Sequence, residues 1–343
     1  MIREHIRENN YDLIRVFAMF MVIMNHVADY YLIKTDYTSK TVFVYEGISH
    51  CAIPLFLMLT GGFLLNKATK INLKQFYIKA LKKLMIPTAI FIIIYWIHDY
   101  KKISVTYILS GLSKGFLGMY AHWYMFMLIG IYAVIPFILI IKLSIDSDTY
   151  EKLVLIYFIW CMLSRQLDDS KAAWTVGNSM TFLGYVMMGD LIKNKITVKN
   201  NKKGLLMCLL GIALLAIDYF ILFVRVQHGD IYYNKWLSLY AAPLVILGSI
   251  LVFSGGGGML ELQRDFSFLS KQSFIVYLCH KLVIDRVSPF WGYIEMKFKY
   301  NFKIIIPIET VLVFLISLAV AIMFNWIIGV IENRNKGRTS NEQ

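Results

Sequence analysis

The chain of 343 residues is poor in charge, with 17% charged against 58% hydrophobic residues. A soluble domain carries about 25% charged and 45–50% apolar residues, so this balance excludes an ordinary soluble globule. Alternating ten-residue apolar segments, the mark of a membrane barrel, are absent, as are internal repeats. The four cysteines (Cys51, Cys161, Cys208 and Cys279) lie far apart in or near apolar blocks, which excludes a zinc or disulfide framework and leaves small buried side chains. The seven histidines show no HExxH spacing and no evident carboxylate partners, so no metal site is expected. A cleavable leader is not expected either: the first apolar block follows MIREHIRENN without a small-residue exit site and should remain as the first helix.

The apolar excess, a mean hydropathy of +0.59, falls in blocks long enough to cross a ~30 Å hydrocarbon layer as helices. They cover 11–33, 45–66, 84–98, 122–141, 152–166, 178–192, 205–225, 236–254, 268–287 and 303–331. The expectation is an all-α polytopic transmembrane helix bundle of about ten helices. The run Gly255-Gly256-Gly257-Gly258 reads as a flexible loop. A net charge of +13 suits loop topology and anionic lipid better than nucleic acid in such a chain. The two densest basic clusters, Lys67 to Lys83 and Lys193 to Lys203, fall on the same side if the N-terminus is cytoplasmic. By the positive-inside rule both termini, with the tail residues Arg334, Lys336 and Arg338, are then expected in the cytoplasm. Within 67–83, lysines alternate with Ile71, Leu73, Phe76, Ile78 and Leu81, which predicts an amphipathic helix at the cytoplasmic interface. Such a helix serves lipid anchoring or attracts a phosphorylated ligand.

Ionisable groups inside spanning helices are costly and are functional candidates for that reason. In YDLIRVFAMFMVIMNHVADYY, Arg15 and His26 stand eleven residues apart, close to three full turns, so both face one side of the helix ~16 Å apart along the axis. A permanent cation suits phosphate or carboxylate, and an imidazole suits proton transfer. Under the same topology His26, His122 and His280 fall at similar depth in the outer half of three different helices, predicting a polar site reached from that side. His50, His98 and His228 lie at predicted outer helix ends, where interfacial solvation accounts for them.

Five segments in order resemble the acyltransferase family 3 integral-membrane O-acyltransferases. YDLIRVFAMFMVIMNHV carries an Arg-x10-His motif at Arg15 and His26; PLFLMLTGGFLL (54–65) resembles PLFFFISGFLL; IKALKKLMIPTAIF (78–91) resembles a basic loop leading into an Ile-Pro helix; HWYMFMLIGIYAVIP (122–136) resembles HLWFLYALIGLYLITP; SFIVYLCHKLV (273–283) resembles IYLIHPLV. Thr60 replaces the usual serine, Lys79, Lys82 and Lys83 stand where arginine is common, and Lys281 stands where proline follows the histidine. The resemblance implies one membrane acyltransferase domain over 1–343, with a helical core about 11–331, a short cytoplasmic tail 332–343 and no appended extracellular domain. It implies no bound cofactor, and acetyl-CoA or another acyl-CoA as co-substrate from the cytoplasm. The acceptor would be a hydroxyl of an exported or lipid-linked glycan, in a bacterial cell membrane. His26 and Arg15 would be catalytic, His26 as general base or transient acyl carrier. Arg15, Lys79, Lys82 and Lys83 would bind the donor, and His122, Tyr124, Tyr277, His280 and Thr60 would line the acceptor side. The competing class is a transporter of glycan intermediates or small anions, which also use intramembrane Arg and His; no inverted repeat supports it.

Overall fold

In hydrocarbon a helix satisfies its own backbone N–H and C=O groups, so long apolar blocks fold as helices there. The computed structural model describes residues 8–66, 72–100, 123–167, 171–195, 199–228, 240–259, 264–299 and 301–340, and every regular element among them is helical. These are α1 (Asn9–Lys34), α2 (Lys40–Ser49), α3 (Ala52–Leu64), α4 (Leu73–Ala80), α5 (Ile86–Tyr100), α6 (Trp123–Ser144), α7 (Ser147–Leu167), α8 (Lys171–Lys195), α9 (Asn201–Gln227), α10 (Pro243–Gly257), α11 (Ser267–Lys297) and α12 (Phe302–Ser340). Each expected apolar block overlaps one or two of these helices, residues 122 and 236–239 of two blocks lying outside the described residues. Among the described residues five segments have the length and apolarity to cross a membrane: Asn9–Lys34, Lys40–Leu64, Trp123–Ser144, Asn201–Gln227 and Phe302–Val330.

Three features differ from the sequence expectations. The block 45–66 is not one helix but α2 and α3, broken at His50–Cys51. Pro54 lies in the first turn of α3, where it can donate no bond to the His50 carbonyl, and the break falls there. The basic stretch is helical from Leu73 as expected, residues 67–71 lying outside the described residues, but this helix is not separate from the next apolar block. α4 runs through a π-helical turn, Leu81–Met85, into α5 without interruption. The Ile86 N–H reaches back to the Leu81 carbonyl. That wider ladder makes room for Pro87, whose ring would otherwise press on the carbonyl one turn earlier. The glycine run is not a loop either: Gly255 to Gly257 form the last turn of α10 and Gly258 caps it. Poor helix propensity is overridden there by packing against α9, whose Gly204 faces Gly255.

Contacts fix the direction of the helices. At one end of the bundle Glu8 pairs with Lys193 (2.5 Å), Asn10 donates to the Met259 carbonyl (2.8 Å), and Lys142 bridges the Leu65 carbonyl (2.9 Å) and Asp190 (2.7 Å). This end holds the start of α1 and the finish of α3, α6, α8 and α10. At the other, Tyr31 donates to Glu309 (2.8 Å), Lys34 pairs with Glu295, and Gln227 donates to the Tyr37 carbonyl (2.9 Å). α1 runs between the two ends and packs on α2, α3, α11 and α12. It is the central post of the bundle.

Candidate active site

Because α1 is an unbroken helix over Asn9–Lys34, the eleven-residue spacing puts Arg15 and His26 on one side of it. Arg15 lies toward the Glu8 end. Its guanidinium donates to Ser270 Oγ (2.9 Å) and Asp12 Oδ1 (3.3 Å) and stands over the Phe63 ring, 5.8 Å from the centroid. Three elements, α1, α3 and α11, therefore hold it. Its side chain remains about one third exposed (32%), so a ligand can reach it.

Further along α1, His26 stacks on His280 of α11 with ring centroids 5.2 Å apart and 30° between planes. Two of the three histidines expected at one depth thus meet; His122 lies outside the described residues. His280 is buried, and its Nδ1 lies 2.5 Å from the Tyr277 carbonyl. A carbonyl only accepts, so Nδ1 carries a proton and donates it there. Tyr277 packs on Tyr124 of α6 (5.3 Å) and on His280 (5.5 Å). The aromatic rings of Tyr124, Tyr277, His280 and His26 form a continuous wall.

That wall borders a cavity of about 30 Å³ lined by Val22, Asn25 and His26 of α1, Ser49, Ala52 and Ile53 of α2 and α3, Trp123 and Tyr124 of α6, Tyr240 and Tyr277. The volume suits small polar groups: about two water-sized atoms fit in it. His26, Tyr124 and Tyr277, all named from the sequence, reach it. Thr60 does not. It lies two turns further along α3, and its hydroxyl donates to the Phe56 carbonyl (2.9 Å). Lys79 is on α4, and Lys82 and Lys83 are in the π turn. All three are exposed.

Sequence reasoning missed the second layer. His50, expected at a solvated helix end, is 8% exposed. The Tyr219 hydroxyl lies 2.7 Å from its Nδ1, and Tyr240 stacks on it at 5.2 Å. Asn25 bonds Ser49 Oγ (3.1 Å) and approaches His50 Nδ1 (3.4 Å). Tyr219 is on α9, 169 residues from His50, so no local pattern could have joined them. The adjacency of Asn25 to His26 was the one available signal.

An imidazole beside a small polar cavity in an aromatic wall can take a proton from a hydroxyl and shield the exchange from water. The cation on the same helix can hold an anionic group at a fixed distance. No curated protein and no solved structure is significantly similar to the chain. The family model described as an acyltransferase domain, that of acyltransferase family 3, matches residues 8–330, nearly the whole length, and the chain belongs to that membrane acyltransferase family.

Proposed function

We propose that the protein transfers an acyl group, acetyl in the simplest case, from cytoplasmic acyl-CoA to a hydroxyl of an exported or lipid-linked glycan. The observation that carries this reading is His26 at the aromatic-walled cavity, stacked on His280, with Arg15 on the same side of α1. Ten alternating passes with both termini in the cytoplasm would put Arg15 near the donor side and His26 deeper, toward the acceptor side. Arg15 receives a phosphate or orients the donor arm, and Lys79, Lys82 and Lys83 draw the anionic donor to that face. His26 acts as general base. It removes the proton of the acceptor hydroxyl as the oxygen bonds the thioester carbon. The tetrahedral intermediate then expels the thiolate, the C–S bond breaks, and His26 returns the proton to give free CoA. The products are the ester and the thiol.

The test uses purified protein in lipid nanodiscs with radiolabelled acetyl-CoA and a glycan acceptor. His26→Ala should lose ~10²–10⁴-fold in rate, the usual contribution of a positioned base. Acetyl-CoA should also raise the unfolding free energy of the wild type, by about 2.7 kcal/mol at a hundredfold excess over its Kd. A folded His26→Ala protein that retains full transfer would refute the catalytic role.

A further inference from the structure

Asn25 precedes His26 and lines the same cavity. The orientation of its amide follows from its neighbours. The Ser49 hydroxyl donates to the Glu46 carbonyl at 2.6 Å. A hydroxyl has one proton, so toward Asn25, 3.1 Å away, Ser49 Oγ can only accept. The edge of the amide that faces Ser49 on α2 is therefore its NH2. The carbonyl oxygen Oδ1 faces away from α2, and no described residue donates to it. His50 is itself fixed by Tyr219 and stacked by Tyr240. The amide is thus clamped on its donor side and presents a bare acceptor beside the proposed base.

We infer that Asn25 Oδ1 sets acceptor specificity: it accepts a hydrogen bond from a second hydroxyl next to the one His26 deprotonates. The site then selects a vicinal diol, as on a sugar or polyol ring, over an isolated alcohol. This rests on the acyl-transfer reading above. The cavity volume agrees with it, since about 30 Å³ admits the two oxygens of a diol edge while the ring that bears them stays against the aromatic residues Trp123 and Tyr240. The selectivity comes from two sides. The diol completes the hydrogen bonding of Oδ1, and an analogue without the second proton leaves that oxygen unpaired out of water.

The experiment compares trans-1,2-cyclohexanediol with 2-methoxycyclohexanol as acceptors, using acetyl-CoA and the full-length protein in nanodiscs. The two probes are similar in shape, but the ether cannot donate. Wild type should favour the diol by ~10-fold in kcat/KM, the size expected of one neutral hydrogen bond with an unpaired acceptor as the alternative. Asn25→Leu should bring the ratio down to the statistical value set by the diol's two hydroxyls. Ser49→Ala, which frees the amide to turn, should give an intermediate ratio. Both probes are measured on one preparation, so an inactive fraction cancels. A wild type without the preference, or Asn25→Leu with the preference intact, overturns the inference while acyl transfer stands. A wild type that consumes no acetyl-CoA with any acceptor overturns the acyl-transfer reading and this inference together.

Discussion

Replacing Gly211 with alanine puts a methyl group where α9 and α10 touch backbone to backbone. The two helices are antiparallel, and glycines seven residues apart on each face each other in two pairs, Gly204 with Gly255 and Gly211 with Gly248. A Cβ on Gly211 would stand 2.6 Å from the Gly248 carbonyl oxygen and 3.0 Å from the Val252 nitrogen. The reverse substitution is no easier, because a Cβ on Gly248 meets the Gly211 carbonyl oxygen at 2.8 Å. Real Cβ contacts below 3.0 Å essentially do not occur, so the axes must part by roughly 0.4–0.8 Å. No flexible side chain can absorb the shift at the carbonyl. Overpacking of this kind costs ~1–3 kcal/mol, offset by less than ~1 kcal/mol from removing a glycine from a helix. Between helices in lipid the close packing of small residues is itself the main attraction, so the upper half of the range applies. The assay is thermal unfolding of the protein in nanodiscs. Gly130→Ala on α6, where an added Cβ meets nothing within 4 Å, supplies the control and should be neutral or slightly stabilising. Gly211→Ala/Gly248→Ala should cost less than the two singles together, because the first methyl already separates the helices. A Gly211→Ala protein that melts with Gly130→Ala, at or above wild type, refutes the reasoning.

Asp190 is fully buried and pairs with Lys142 at 2.7 Å; Asp190→Leu should destabilise by ~3–5 kcal/mol, and Lys142→Met/Asp190→Leu by clearly less, since breaking one partner of a buried pair costs more than replacing both. Chemical unfolding of the two variants decides it, and equal losses would contradict the pairing. Tyr31→Phe removes the 2.8 Å bond to the buried carboxylate of Glu309 and should cost ~1–3 kcal/mol in the same measurement. Ser270→Ala removes a partner of Arg15 and should raise the KM for acetyl-CoA by ~3–10-fold, the size of a typical net hydrogen bond; an unchanged KM would detach Ser270 from donor binding.

What was legible in the sequence is what one helix determines by itself. The side shared by Arg15 and His26 needs only the helical repeat, and the apolar blocks need only composition. What depends on a second helix was invisible. The pairing of Lys142 with Asp190 joins α6 to α8 across 48 residues. His50 looked like an exposed terminus because it stands near the start of its apolar block; its burial comes from Tyr219 and Tyr240. The glycine run looked flexible because its composition is poor for a helix, and only Gly204 on the facing helix explains why it is one. Histidine convergence was the exception. Depth alone brought His26 and His280 together in prospect, because helices that cross the same layer leave depth as the main variable.

The anchoring of α1 gives the proposed reaction its geometry. The helix is held at one end by Glu8 with Lys193 and by Arg15 with Ser270, and at the other by Tyr31 with Glu309 and Lys34 with Glu295. Neither end can slide along the bundle without breaking several bonds at once. The interval between Arg15 and His26 is therefore a fixed length, ~16 Å along the axis. An anion held at Arg15 cannot also react at His26 unless a flexible arm spans that interval. A donor with its phosphates at one end and its thioester at the other meets the requirement, and a compact acyl phosphate does not. In the proposed reaction, binding at the remote cation would align the thioester at the base, so the affinity gained at Arg15 would serve orientation at His26. On that proposal the same interval would keep the charged head out of the aromatic-walled cavity, where only the acyl carbon and the acceptor hydroxyls would need to meet.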